Sequence, residues 1–189
     1  LERFDDSEIA ASKAFKSYLT LQATAEEEYY EVLNPDNEVE INFNEYLAIE
    51  DAYILNHLGL LLDRQWRFGE AAAAYQLGIK IVEHNHESLE DVGFYLDLVA
   101  NYSHLLSFME GQEEKAKRFL EKFFKSNSEL LEDHPLQHAN LLNVLAIIYG
   151  NSQRLEQVKK TFIKGIDLLD TSELSSTEML VIRAQLLNN

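Results

Sequence analysis

Residues 53–79 read YILNHLGLLLDRQWRFGEAAAAYQLGI, and this stretch decides the fold. Leu55, Leu58, Gly59 and Leu62 recur at three- and four-residue spacing, which puts them on one side of a helix facing a packed core. Gln65 to Gly69 turns the chain. Glu70 to Glu83 returns as a second, alanine-rich helix. Asn44 can cap the first helix, which then runs to about Asp63.

Working outward, two further segments can be laid on this one. A small or apolar residue in the returning helix, Ala71, Ala116 or Val158, fixes the register. Twelve residues earlier stand Gly59, His104 and Ala146. Four later stand Tyr75, Leu120 and Phe162, and eight later Ile79, Phe124 and Ile166. In this register Asn56, Asn101 and Asn143 coincide. The spacings are 45 and 42 residues. A recurrence of that length predicts helical hairpins stacked into a curved array with one continuous inner face.

The expected fold class is therefore all-α, as one repeat domain over residues 1–189. Its hairpins fall at about 5–33, 45–84, 88–126 and 134–169, with a last amphipathic helix over 173–187. Ser88 is the expected cap of the second full hairpin, with Gly111 ending its first helix. Asp133 is the expected cap of the third, where Pro135 fits a first turn. Asn34-Pro35-Asp36-Asn37 is a turn cluster. Glu38 to Phe43 alternates loosely and reads either as an extended stretch or as a helix entry. Glu26, Glu27 and Glu28 read as a solvated face.

Composition narrows the function. The chain of 189 residues carries a net charge of −17, which repels phosphates and anionic lipid alike. Neither nucleic acid nor a membrane is an expected partner of this chain. No apolar run is long enough to span a bilayer, and no signal-peptide pattern is visible. Cysteine is absent, which removes disulfides and thiolate chemistry and fits a cytoplasmic protein. Gly-rich phosphate loops, nucleophile elbows and cysteine nucleophiles are all missing, so the sequence does not read as an enzyme, and no cofactor or metal is expected. His134 and His138 have a metal-compatible spacing of four, but no Glu follows the first His, and surface or capping roles are expected instead. His84 and His86 lie two apart and do not share a helical face. His57 and His104 lie near the inner helices, as packed or groove-lining imidazoles. Trp66 and Phe68 are expected to wedge two helices together, with a partner anchor as the alternative.

The run Leu55-Asn56-His57-Leu58-Gly59, then Phe68-Gly69-Glu70-Ala71, Tyr75 and Gly78, resembles a tetratricopeptide repeat. The third segment resembles it through Leu145-Ala146, Tyr149, Leu155, Val158, Phe162 and Gly165. In the second, His104 and Phe123 stand where small residues would be. The resemblance covers about residues 45–170 and implies a right-handed superhelix of hairpins, with Gly59, Ala71 and Gly78 at helix contacts. The chain is also similar to the peptide-binding domain of bacterial pheromone-sensing transcription regulators of the Rgg/RNPP type. That likeness implies a sensor for a short signalling peptide, a homodimer, and a DNA-binding domain encoded ahead of Leu1, this chain being a fragment. It also implies that Asn56, Asn101 and Asn143 hold the peptide backbone.

Helical spacing assigns the inner stripes. Tyr53, Asn56, Leu60 and Arg64 form the first; Leu98, Asn101, Leu105 and Met109 the second; Asn140, Asn143, Ile147 and Asn151 the third. A carboxamide can pair with both the C=O and the N–H of an extended peptide, whatever its side chains. Leu60, Leu105, Met109 and Ile147 would take peptide side chains, and Arg64 a carboxylate. Alternatively, an asparagine between stacked helices bonds a neighbouring carbonyl and fixes packing. Met179, Leu180, Ile182 and Leu186 offer a dimer surface or, equally, core packing. A generic protein-docking scaffold is the alternative function.

Overall fold

The computed structural model describes residues 49–85 and 91–171, all of it helices and short turns. The expected hairpin over 5–33, the Glu38 to Phe43 stretch, and the last helix with Met179, Ile182 and Leu186 lie outside the described residues. Chain contacts divide the molecule into two compact units, Leu1–Glu90 and Asp91–Asn189, where the sequence pattern reads as one domain.

The described part of the first unit is a hairpin of α1 (Ile49–Arg64) and α2 (Phe68–His84). Glu50 and Asp51 in the first turn of α1 and Arg64 in its last suit the helix dipole. Leu55, Leu58, Gly59 and Leu62 are all buried, as their spacing predicts. They face an α2 whose Ala71, Ala72, Ala73 and Ala74 are buried too. A Cβ on Gly59 would come within 2.7 Å of Cδ1 of the buried Tyr75 ring. Glycine is thus what lets that ring lie against α1.

The second unit contains α3 (Val92–Phe108), α4 (Glu113–Ser126), α5 (Ser128–Glu132), α6 (Pro135–Asn151) and α7 (Leu155–Thr171). Helix α3 packs on α4 and on α6, α4 also meets α6, and α6 pairs with α7. The short α5 bridges α4 and α6. Two expected caps are replaced. Asp91 caps α3 by accepting from Phe94 N at 3.0 Å, three residues beyond the expected Ser88 cap. Asp133 closes α5 rather than opening α6, and His134 precedes Pro135 at the start of α6 without a side-chain cap bond. The five-residue α5 takes up the chain that the sequence reading left as a link.

Among the described residues, positive φ occurs at Trp66 (64°), Gly111 (78°) and Gln153 (57°). Each lies five residues before the register residues Ala71, Ala116 and Val158. Those three residues in turn donate their backbone N–H to Arg67, Gln112 and Arg154 O, at 3.0, 2.9 and 3.0 Å. The left-handed residue and the first helical bond therefore recur in the register read from side chains. In two hairpins the closure has the same pair of bonds: Arg67 N to Leu62 O and Trp66 N to Asp63 O, then Arg154 N to Tyr149 O and Gln153 N to Gly150 O. This is the six-to-one, five-to-two closure of a helix C-terminus, with Trp and Gln where glycine is usual.

Candidate functional site

Each inner-stripe residue now has a place. In the first unit, Asn56 is buried at 8% exposure, Tyr53 and Leu60 are half-buried, and Arg64 is exposed. The solvent-facing side of α1 runs instead through Glu50, Ile54 and His57. His57 donates from Nδ1 to Tyr53 O at 2.7 Å, one turn back on the same helix.

In the second unit, Leu98 and Leu105 lie in the packed interior. Asn101 and Met109 are half-buried. What surrounds Asn101 on the open side of α3 is Asp97, His104 and Phe108, the last 59% exposed. Phe108 meets the His104 ring edge-on at 4.7 Å. The exposed stripe on α3 is thus offset by about one residue from the expected one, because Leu98 and Leu105 are taken into the core.

On α6 the expected stripe coincides with the open side. Asn140 and Ile147 are half-buried and Asn151 is exposed, while Asn143 beneath them is buried at 7% exposure. Asn151 donates through Nδ2 to Ser107 O at 2.8 Å, tying the end of α6 to the end of α3. Asn140 makes no side-chain hydrogen bond among the described residues. Tyr149 Oη donates to Glu121 Oε1 at 2.8 Å, joining α6 to α4. Burial, and then Glu121, push its phenol up to about 12.

Electrostatically, α3 and α6 stand apart. Asp97 is the one Asp, Glu, Lys or Arg in these two 17-residue helices. Helix α4 carries five Lys or Arg and α7 carries three. In a chain with 26% charged residues, the neighbouring α3 and α6 offer amides, aromatics and aliphatics with almost no charge. Such a surface can pair with peptide groups without strong preference for charge. Asp97 and Phe108 were not picked out by sequence reasoning, whereas His104 was, as a packed or groove-lining imidazole. The missing charge on α3 and α6 was visible there and would have found them.

The aromatic turn departs from expectation. Trp66 is 80% exposed rather than wedged between helices, because its left-handed backbone turns the side chain outward. It touches Phe68 at 5.7 Å between ring centres. Arg67 beside it donates to both Glu70 oxygens, at 2.7 and 2.6 Å. His134 is half-buried at the start of α6, and His138 is buried. His84 is exposed in the last turn of α2. Among the described residues no group of three His, Asp or Glu is placed to hold a metal ion, and no helix is long and apolar enough to cross a membrane.

No family model matches the chain, and no curated protein matches it either.

Proposed function

We propose that this chain is a tetratricopeptide-like repeat domain, a superhelix of hairpins, that binds a short extended peptide on its inner helices. In this reading it is the sensor part of a bacterial transcription regulator of the Rgg/RNPP type. Peptide binding shifts a hairpin arrangement or a dimer contact and so biases a linked DNA-binding domain. The observation that carries the reading is the nearly uncharged pair α3 and α6, with Asn101 and Asn140 half-buried on them and the charge carried by α4 and α7. The recurrence of the left-handed turn residues supports the repeat register.

The amides divide by role. Asn56 and Asn143 are buried and engaged within the fold, which suits a packing function. Asn140 is the amide best placed to meet a peptide backbone, with Asn101 beside Phe108 on the neighbouring helix. Ile147 and Met109 supply apolar contact. Several such contacts are needed to offset the ordering cost of a flexible ligand. A homodimer, through Met179, Ile182 and Leu186, belongs to the same proposal, and light scattering that gives a monomer at tens of micromolar removes it.

The burial of Asn56 and Asn143 favours a second reading, a repeat scaffold that docks folded proteins or their tails without a signalling role. Calorimetry with a short hydrophobic peptide encoded beside this gene separates the two. The sensor binds it, and Asn140→Ala or Asn101→Ala weakens binding by about 1–3 kcal/mol. Absence of binding heat with such peptides leaves the scaffold.

A further inference from the structure

His138 is 9% exposed, and neither ring nitrogen has a hydrogen-bond partner. It stands in the first turns of α6, two residues from Asn140 and so on the far side of the helix from the open stripe. Three other helices enclose it. Phe124 of α4 lies against the ring at 5.6 Å between centres. From α7, Lys164 bears on it with like charge. The Leu131 carbonyl of α5 pulls weakly the other way, without hydrogen-bond geometry to either nitrogen. Charged groups elsewhere on these elements, Glu121, Lys122 and Lys125 of α4, Glu129 and Glu132 of α5, Asp133 at its end, and Asp167 and Asp170 of α7, are exposed. On α3, which also packs on α6, Asp97 is exposed as well.

A buried imidazole with no acceptor and a lysine nearby can be accommodated only as the neutral ring. We infer that His138 is an acid-sensitive latch: protonating it loosens the junction where α4, α5 and α7 meet α6. A carboxylate within reach would have made protonation stabilising, and among the described residues none bears on the ring. Since the junction lies behind the open side of α6, loosening it displaces Asn140 and Ile147 as well.

Burial, and then Lys164, hold the ring's pKa below its ordinary value. As acid is added, the unfolded chain takes up this proton before the folded chain does. His138 therefore withdraws stability as pH drops below about 6.5, and the loss levels off once the folded ring is also protonated.

The test compares melting of the full chain between about pH 7.5 and about pH 5 with that of His138→Leu and His138→Gln, neither of which can take up the proton. The wild type should lose more Tm over this range than either variant, by about 2–4 °C or more. Equal losses in all three overturn the latch. Should both variants fail to fold, the imidazole C–H signals of the wild type decide it. A His138 resonance that stays neutral after the exposed histidines have titrated, and moves only with loss of native signals from α7, supports the latch. A His138 that titrates at an ordinary pKa in the folded protein overturns it.

Discussion

Two hairpins of this chain carry one repeat register and pack differently. In α1–α2, the Gly59 position opens a space that the Tyr75 ring fills. In α3–α4, the equivalent position is His104, which faces solvent against Phe108, and the two helices touch over a shorter stretch. Phe123, where α2 has Gly78, is instead buried edge-on against Tyr95 at 5.6 Å. A repeat can therefore keep a left-handed residue at its turn while exchanging a close glycine contact for aromatic edge contacts, Tyr95 on Phe123 and Tyr102 on Phe119. What the second hairpin gives up in interhelix contact it gains as open surface beside Asn101.

Removing the filler should cost most. Tyr75→Ala leaves a cavity against Gly59 and is expected to destabilise by about 3–5 kcal/mol in chemical denaturation, whereas truncating its repeat partner Leu120 costs about 2–5. Next comes the reverse change. Gly59→Ala forces the Tyr75 ring aside and should cost about 1–3 kcal/mol. His104→Ala, at the same repeat position, should fall within about 0.5 kcal/mol of wild type. Equal costs at the two positions would show that the hairpins pack alike.

Smaller effects follow at the turns. Gly111→Ala meets open space but must adopt φ +78°, so it should lose about 1 kcal/mol. Gln153→Gly relieves the same conformation at an exposed site and should gain a few tenths of a kcal/mol up to about 1. Opposite signs at these two positions would sharpen the view that a left-handed residue occupies the same register position in both hairpins.

Much of the fold is legible because burial follows helical spacing. Leu55, Leu58 and Leu62 mark their own face, and Ala71, Ala116 and Val158 mark a register that the left-handed residues then repeat. The second hairpin's stripe was less legible. Leu98 and Asn101 are near neighbours on the helix, and local spacing does not say which side α6 will cover. On α6 Asn140, Ile147 and Asn151 do fall on the open side, because Leu141, Leu142, Val144, Leu145 and Ile148 fill the buried faces. Trp66 escaped because nothing in its neighbourhood marks a left-handed backbone without glycine. His138 escaped because its environment is assembled from three other helices.

The most direct test of the peptide-binding reading is to map backbone amide shifts by NMR while a short hydrophobic peptide encoded beside the gene is titrated in. Perturbations should concentrate on the open sides of α3 and α6, at Asn101, His104, Phe108, Asn140 and Ile147, and fade in Asn140→Ala. Shifts confined to the lysine-bearing surfaces of α4 and α7, with α3 and α6 silent, would contradict it.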